Sequence, residues 1–146
     1  MPLNPEEEVF FRELMHSLIA IPKALRRDLE DADGLSGSEY ITLMHLSEAT
    51  DQLMRMSDLA SECDLSVSGM TRLVSKLERE GLVRRRQCVD DARGYNAELT
   101  PDGLTALQQA YPTHLASVRR HVMDHFQGMD LVTLGEAFSK TARAGE

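Results

Sequence analysis

Six polar side chains recur at helical spacing over a short stretch of the chain: Ser68, Thr71, Arg72, Ser75, Lys76 and Arg79. Met70, Leu73, Val74 and Leu77 fall on the opposite face, so the segment reads as an amphipathic helix with its apolar side turned inward. The polar face carries small hydroxyls toward its N-terminal end and cations toward its C-terminal end, and it is nearly free of acids. This is what reading a duplex requires. A helix end enters the major groove only where bulky residues do not block it, and hydroxyl and guanidinium groups then donate to base edges and phosphates. Ser66 stands where it caps the helix, and the uncapped N–H groups beside it suit a phosphate. A solvent-facing helix without a partner would more often mix Glu with Lys on its wet side.

A second group of cations follows at once. Arg84, Arg85 and Arg86 form a run in an extended segment, so alternation sends Arg84 and Arg86 to one face and Arg85 to the other. Arg93 sits at the tip of the polar loop Val89-Asp90-Asp91-Ala92-Arg93-Gly94, where a narrow minor groove could receive its guanidinium. Asp91, two residues earlier, is placed to hold Arg93 through a charged hydrogen bond. Ser66, Ser68, Thr71, Arg72, Ser75, Lys76, Arg86, Asp91 and Arg93 are therefore the expected DNA-facing set. The net charge of −8 argues, by itself, against a nucleic-acid partner. Its distribution outweighs the sum: from Ser66 to Arg93 seven cations stand against four anions, one basic island in an acidic chain.

Other chemistries find less support. His114, His121 and His125 are spaced seven and four apart and share one helical face, and an i, i+4 pair can chelate zinc. No cysteine or acid completes a shell except Asp124, which points elsewhere, so interface or surface roles are expected and no metal or other cofactor. Cys63 and Cys88 form no CxxC spacing. They suit a reducing, cytoplasmic compartment and read as inert packing, although Arg86 beside Cys88 would favour a thiolate. A regulator that responds to metal through these histidines or to oxidant through these cysteines is one alternative. A winged module that binds protein rather than DNA is another. GxSxG, P-loop and HExxH patterns are absent, and no enzyme is expected. Met1 to Glu8 is acidic and lacks the apolar core of a secretory signal, and no apolar run approaches the length of a membrane span.

The elements that must position these residues are legible from caps and periods. Asn4 caps and Pro5 opens a first helix whose apolar stripe runs from Phe11 through Leu14 and Leu18 to Leu29, with a bend expected at Pro22 and an end at Gly34. Ser36 and Glu39 form a capping box for the second helix. Ser57 is expected to cap a short third helix. After the turn Cys63-Asp64-Leu65, Ser66 caps the fourth, which Gly81 closes. Two strands, Val83 to Cys88 and Tyr95 to Thr100, make a hairpin. Thr100-Pro101-Asp102 starts a fifth helix expected to run through Leu115, Val122 and Phe126 to Gly128, with a kink at Pro112. Asp130 caps a last helix bearing Leu131, Leu134 and Phe138. The chain is thus mainly α with a small β wing: a winged helix-turn-helix at 36–100, flanked by helices at 5–33 and 101–143. The apolar stripes of those outer helices are too extensive for one small module to bury. Two-fold pairing would hide them and set two recognition helices about 34 Å apart, one turn of DNA.

From Leu35 onward the chain resembles the MarR family, the multiple-antibiotic-resistance regulators. The matching pieces are LSGSEYITLMHLSE, MSDLASECDLSVSGMTRLVSKLEREGLVRRR, the D-x-R-G of Asp91 to Gly94, and LTPDGL, in order and at the family's spacing. The resemblance implies a winged-helix module in each subunit, a homodimer built from the N-terminal and last two helices, and a palindromic double-stranded DNA operator under repression. It places Ser66, Ser68, Thr71, Arg72, Ser75 and Lys76 on the recognition helix, Arg93 at the wing tip, and Asp91 as the acid that steadies it. It also implies a small inducer, aromatic or anionic, between the dimer helices and the winged module. Two positions depart from the family pattern. Gly94 stands where many members carry a second wing arginine, and Asp64 stands where glycine is common in the turn; aspartate tolerates the left-handed conformation needed there.

Overall fold

The computed structural model describes residues 1–91 and 93–144. Helix α1 (Pro5–Asp33) begins in a capping box: the Asn4 side chain accepts from the N–H groups of Glu6 and Glu7, and the Glu7 carboxylate accepts from Asn4 N–H. Gly34, at φ 70°, closes the helix in the left-handed conformation. Helix α2 (Gly37–Glu48) starts in the same way from Ser36 and Glu39. Both expected proline bends fall inside continuous helices: α1 runs unbroken through Pro22, and α5 (Pro101–His121) through Pro112.

Two expectations for the middle of the chain need correction. Ser57 does not cap the third helix. Helix α3 (Met56–Glu62) begins two residues earlier than such a cap would place it, with Arg55 at the cap position and no side-chain cap bond. Ahead of it lies a strand the sequence did not announce, β1 (Leu53–Arg55). Three residues are too few to show alternation, and only pairing with a distant partner makes them a strand. That partner is β3 (Tyr95–Leu99), which takes β1 on one side and β2 (Val83–Gln87) on the other, antiparallel in the order β1-β3-β2.

The helix-turn-helix is built as expected. Asp64 adopts φ 52° in the turn. The Ser66 hydroxyl accepts from Gly69 N–H at 3.0 Å to open α4 (Val67–Arg79), and Gly81, at φ 77°, ends the turn that follows. Tyr40, Leu43 and Leu46 of α2, Leu59 of α3, Met70, Val74 and Leu77 of α4, and Ala97 and Leu99 of β3 form one core. Helix α4 is therefore held by its apolar face and shows its polar face outward.

The outer helices are different. Of α1 only Leu29 is buried, and no residue of α6 (Leu131–Ala144) is. The expectation that α5 continues to Phe126 fails. It ends at His121, Val122 leaves helical geometry at φ −131°, ψ −71°, and Met123–Phe126 forms a separate 3-10 turn. Asp130 then caps α6 through the N–H groups of Val132 and Thr133.

One polar cluster ties α1 to α5. Asp28 accepts from Ser117 Oγ at 2.5 Å and from Arg120 at 2.6 Å, with His121 Nε2 at 3.0 Å. These bonds, led by Ser117 and Arg120, hold the Asp28 carboxyl far below the usual carboxylate range. A carboxylate depressed in the folded state stabilises fully above its ordinary pKa of about 4 and loses that contribution as pH falls below it. Asp28→Asn is therefore expected to lower the Tm at neutral pH. The gap to the wild type should close as the pH is taken below about 4; a gap of constant size would show that Asp28 is not held as described.

Candidate nucleic-acid interface

The outward face of α4 is a row of hydroxyls and cations in different states of commitment. The Thr71 hydroxyl donates to Val67 O at 2.9 Å and the Ser75 hydroxyl to Thr71 O at 2.8 Å. Both are thus oriented by the preceding turn, with lone pairs remaining. Ser66 and Ser68 sit with their hydroxyls 3.2 Å apart at the exposed N-terminal end. Arg72 and Arg79 are exposed, and neither makes a hydrogen bond or ion pair among the described residues. Lys76 is engaged. Its ammonium pairs with the buried carboxylate of Glu39, which also receives Ser36 N–H at 2.9 Å, and this partner raises the Lys76 pKa. Lys76 therefore ties α4 to the head of α2 before any ligand arrives.

The wing is fixed to α4 by its middle arginine. Arg85 turns inward and donates to Thr71 O at 3.1 Å and to Ser75 Oγ, while its backbone N–H donates to Glu78 at 3.0 Å. Arg84 and Arg86 occupy the opposite face, as alternation requires, and flank the carboxylate of Glu98 at 3.1 and 2.7 Å. The structure thus places Arg86 away from α4 and Arg85 against it.

The role expected of Asp91 is changed in detail. It does not hold the Arg93 guanidinium. One carboxylate oxygen accepts from the backbone N–H of Arg93 at 3.0 Å, and the other accepts from Arg55 at 2.8 Å. The Arg93 amide and then Arg55 hold the Asp91 pKa below its usual value. Asp91 fixes the loop, and the Arg93 side chain remains exposed and without a polar partner among the described residues. Ala92, between them, lies outside the described residues. The glycine at 94 has a packing reason: a Cβ there would lie 3.1 Å from the Arg55 guanidinium and 3.2 Å from Cys88 Sγ. Arg55, which holds Asp91, is the residue of this site that sequence reasoning missed. It ends a three-residue strand too short to show alternation, and no local signal could have found it.

The histidines do not share one helical face, because α5 ends at His121. His114 stacks on Tyr40 with ring centroids 4.6 Å apart, and burial lowers its pKa. His121 serves Asp28, and His125 is exposed on the 3-10 turn. Among the described residues, no three His, Cys, Asp or Glu side chains are grouped to hold a metal. Cys63 is half-buried, and burial pushes its thiol pKa up, which disfavours the thiolate. The Cys88 thiol donates to Asn96 Oδ1 at 3.2 Å. No helix of the described residues is long and apolar enough to cross a membrane.

The arrangement matches known proteins. The sequence profile of the MarR family fits residues 33–94. The HTH-type transcriptional repressor YetL of Bacillus subtilis is 31% identical over 134 residues, covering 88% of this chain and 80% of that protein. The crystal structure of AbsC, a MarR family transcriptional regulator from Streptomyces coelicolor, superposes with a TM-score of 0.88 at 35% identity, over 99% of this chain and 97% of that one. Sco3205, a MarR family transcriptional regulator from the same organism solved in complex with DNA, gives 0.89 at 30% identity over 99% and 91%. Such proteins are transcriptional regulators, not enzymes. On this sequence identity and near-complete structural overlap, the chain belongs to the MarR family of winged helix-turn-helix, DNA-binding transcriptional regulators.

Proposed function

We propose that the protein is a homodimeric repressor that reads a pseudo-palindromic site in duplex DNA. Residues 36–100 serve as the DNA-binding module, and the helices at 5–33 and 101–143 as the dimer interface. The carrying observation is one of commitment. Ser66, Ser68, Thr71 and Arg72 present an unobstructed face on a helix whose other side is locked in the core, and Arg93 projects from a wing that Arg85 clamps to that helix. In this reading α4 enters the major groove, Arg93 the flanking minor groove, and Lys76 and Asp91 position their neighbours. Sco3205, which is bound to DNA in its crystal structure, supports the partner class. The dimer reading rests on the apolar surface of the outer helices, where Phe11 is 55%, Leu131 49% and Phe138 44% exposed. Leu14, Val122, Phe126 and Leu134 are half-buried beside them. We read the working compartment as the cytoplasm, where duplex DNA meets reduced thiols.

An aromatic or anionic effector fits the same reading. Two cavities, of about 400 and 530 Å³, meet at the Tyr40–His114 stack, and the second is also lined by Pro22, Leu25, Ile41 and Arg26. The buried Nδ1 of His114 lacks a hydrogen-bond partner among the described residues. Such a ligand would act only through different affinities for the DNA-bound and free states.

The test is selection of a duplex from a random-sequence pool, followed by a salt titration. Binding should weaken steeply with salt, and Arg93→Ala should lower the slope of log K against log[salt] by about 1 for each half-site. Aromatic carboxylates added to the same assay should release the duplex. Absence of salt-dependent duplex binding would leave the winged module as a protein-binding one.

A further inference from the structure

A cleft of about 300 Å³ lies between α4, the wing, and the corner where β1 meets α3. Three guanidinium groups line it, from Arg55, Arg85 and Arg93, together with the hydroxyl-bearing Ser57 and Thr71. Two acids touch these residues, Asp91 on Arg55 and Glu78 on the backbone N–H of Arg85, against three cations, so the excess is positive. We infer that this cleft seats one backbone phosphate of the bound duplex, with Arg55 as its principal ligand and Arg85 supporting it.

The inference rests on the DNA reading above and follows from duplex geometry. A major groove and its neighbouring minor groove are separated by one sugar–phosphate strand. If α4 occupies the first and Arg93 the second, that strand must pass between α4 and the wing, which is where the cleft lies. The chemistry of the lining agrees. A guanidinium has five N–H donors in a planar fork, and the bond to Asp91 that orients Arg55 leaves others for a phosphate. Because Asp91 already holds Arg55, and Gly94 leaves space against it, little rotamer freedom is lost on binding. Arg85 is committed through Nη2, yet its buried Nε lacks a partner among the described residues. A phosphate contact of this kind carries no sequence information. Arg55 therefore serves operator and unrelated DNA alike.

The probe is a duplex selected by the wild-type protein, prepared as a series with one phosphate at a time replaced by an uncharged methylphosphonate. The scan should find, in each half-site, a sensitive phosphate between the groove covered by α4 and the groove entered by Arg93. Arg55→Gln should abolish that sensitivity. It should also lower the salt slope by about 1 per half-site, equally on selected and unrelated duplexes. Asp91→Asn, which loosens Arg55 but keeps its charge, should weaken binding and retain the sensitive phosphate. Arg55 is nearly half exposed, so Arg55→Gln is expected to fold, with its Tm as the check. Two results would overturn the proposal and leave DNA binding standing: a wild-type scan with no sensitive phosphate at that place, or an Arg55→Gln protein whose scan and slope match the wild type. A wild-type protein that selects no duplex would remove the DNA reading, and this inference with it.

Discussion

Leu18→Glu is expected to halve the mass of the protein in solution and to weaken operator binding by about 100- to 10,000-fold, the range over which linking two binding modules raises avidity. Leu18 is 59% exposed on α1, beside Ile19 at 70% and a turn or two from Phe10 and Phe11. Leu115 on α5 and Leu131 and Phe138 on α6 are large apolar residues exposed in the same way, and exposed apolar side chains in such number suit a partner. A two-fold interface brings equivalent residues close to one another, so one substitution places two carboxylates in the same apolar seam. Taking two like charges out of water in that seam is costly. The recognition face is remote from Leu18, so each separated subunit should keep its fold and its weak, salt-dependent affinity for a half-site. Light scattering and a duplex titration measure the two effects. A variant that keeps both its mass and its affinity would show that this stripe is not the interface.

Gly103→Ala should be the most damaging addition of a single carbon. Gly103 lies in the first turn of α5, buried, with its N–H donated to the Thr100 hydroxyl. A Cβ there would stand 2.0 Å from the backbone oxygen of Leu82 and 2.7 Å from Leu99 Cδ1. A backbone carbonyl cannot swing aside as a side chain can, so α5 must lift away from the start of the wing. The bond from Thr100 Oγ1 to Gly81 O, at 2.6 Å, pulls in the opposite direction. Overpacking of this kind costs about 1–3 kcal/mol, which for a chain of this size lowers the Tm by about 2–12 °C. Because the displaced contact joins the outer helices to the winged module, DNA affinity should fall as well. Gly37→Ala is the control. The three atoms nearest its Cβ would be Cβ, Cγ and Cδ of Arg26, a side chain that can change rotamer where a backbone carbonyl cannot, so it should cost less than Gly103→Ala. Equal losses at the two positions would contradict this account.

These cases mark the division between what was legible in the sequence and what was not. Caps other than that of α3 were legible because each is chemistry between near neighbours. Asn4 with Glu7, Ser36 with Glu39, Ser66 with Gly69, and Thr100 with Gly103 all bond over three residues and do so as the residue types dictate. The two faces of α4 and the alternation of the hairpin were legible for a similar reason, since helix and strand periods sort side chains without knowledge of the partner. The motif LTPDGL also flagged Gly103, but only the approach of Leu82 explains why glycine is needed there.

Residue types and their spacing were thus enough for the starts of every helix but α3, the winged helix-turn-helix order, the polar face from Ser66 to Arg79 and the loop-tip place of Arg93. Tertiary structure alone decided which of the cations are free. Glu39 engages Lys76 from 37 residues away, Asp91 engages Arg55 from 36, and Glu98 takes Arg84 and Arg86 across the hairpin. It also decided that Leu53 to Arg55 is a strand, and that α5 stops at His121. The physical reason is common to all of these. A charge has no preferred partner until folding brings one within a few ångströms, and a three-residue strand exists only where another strand offers its hydrogen bonds.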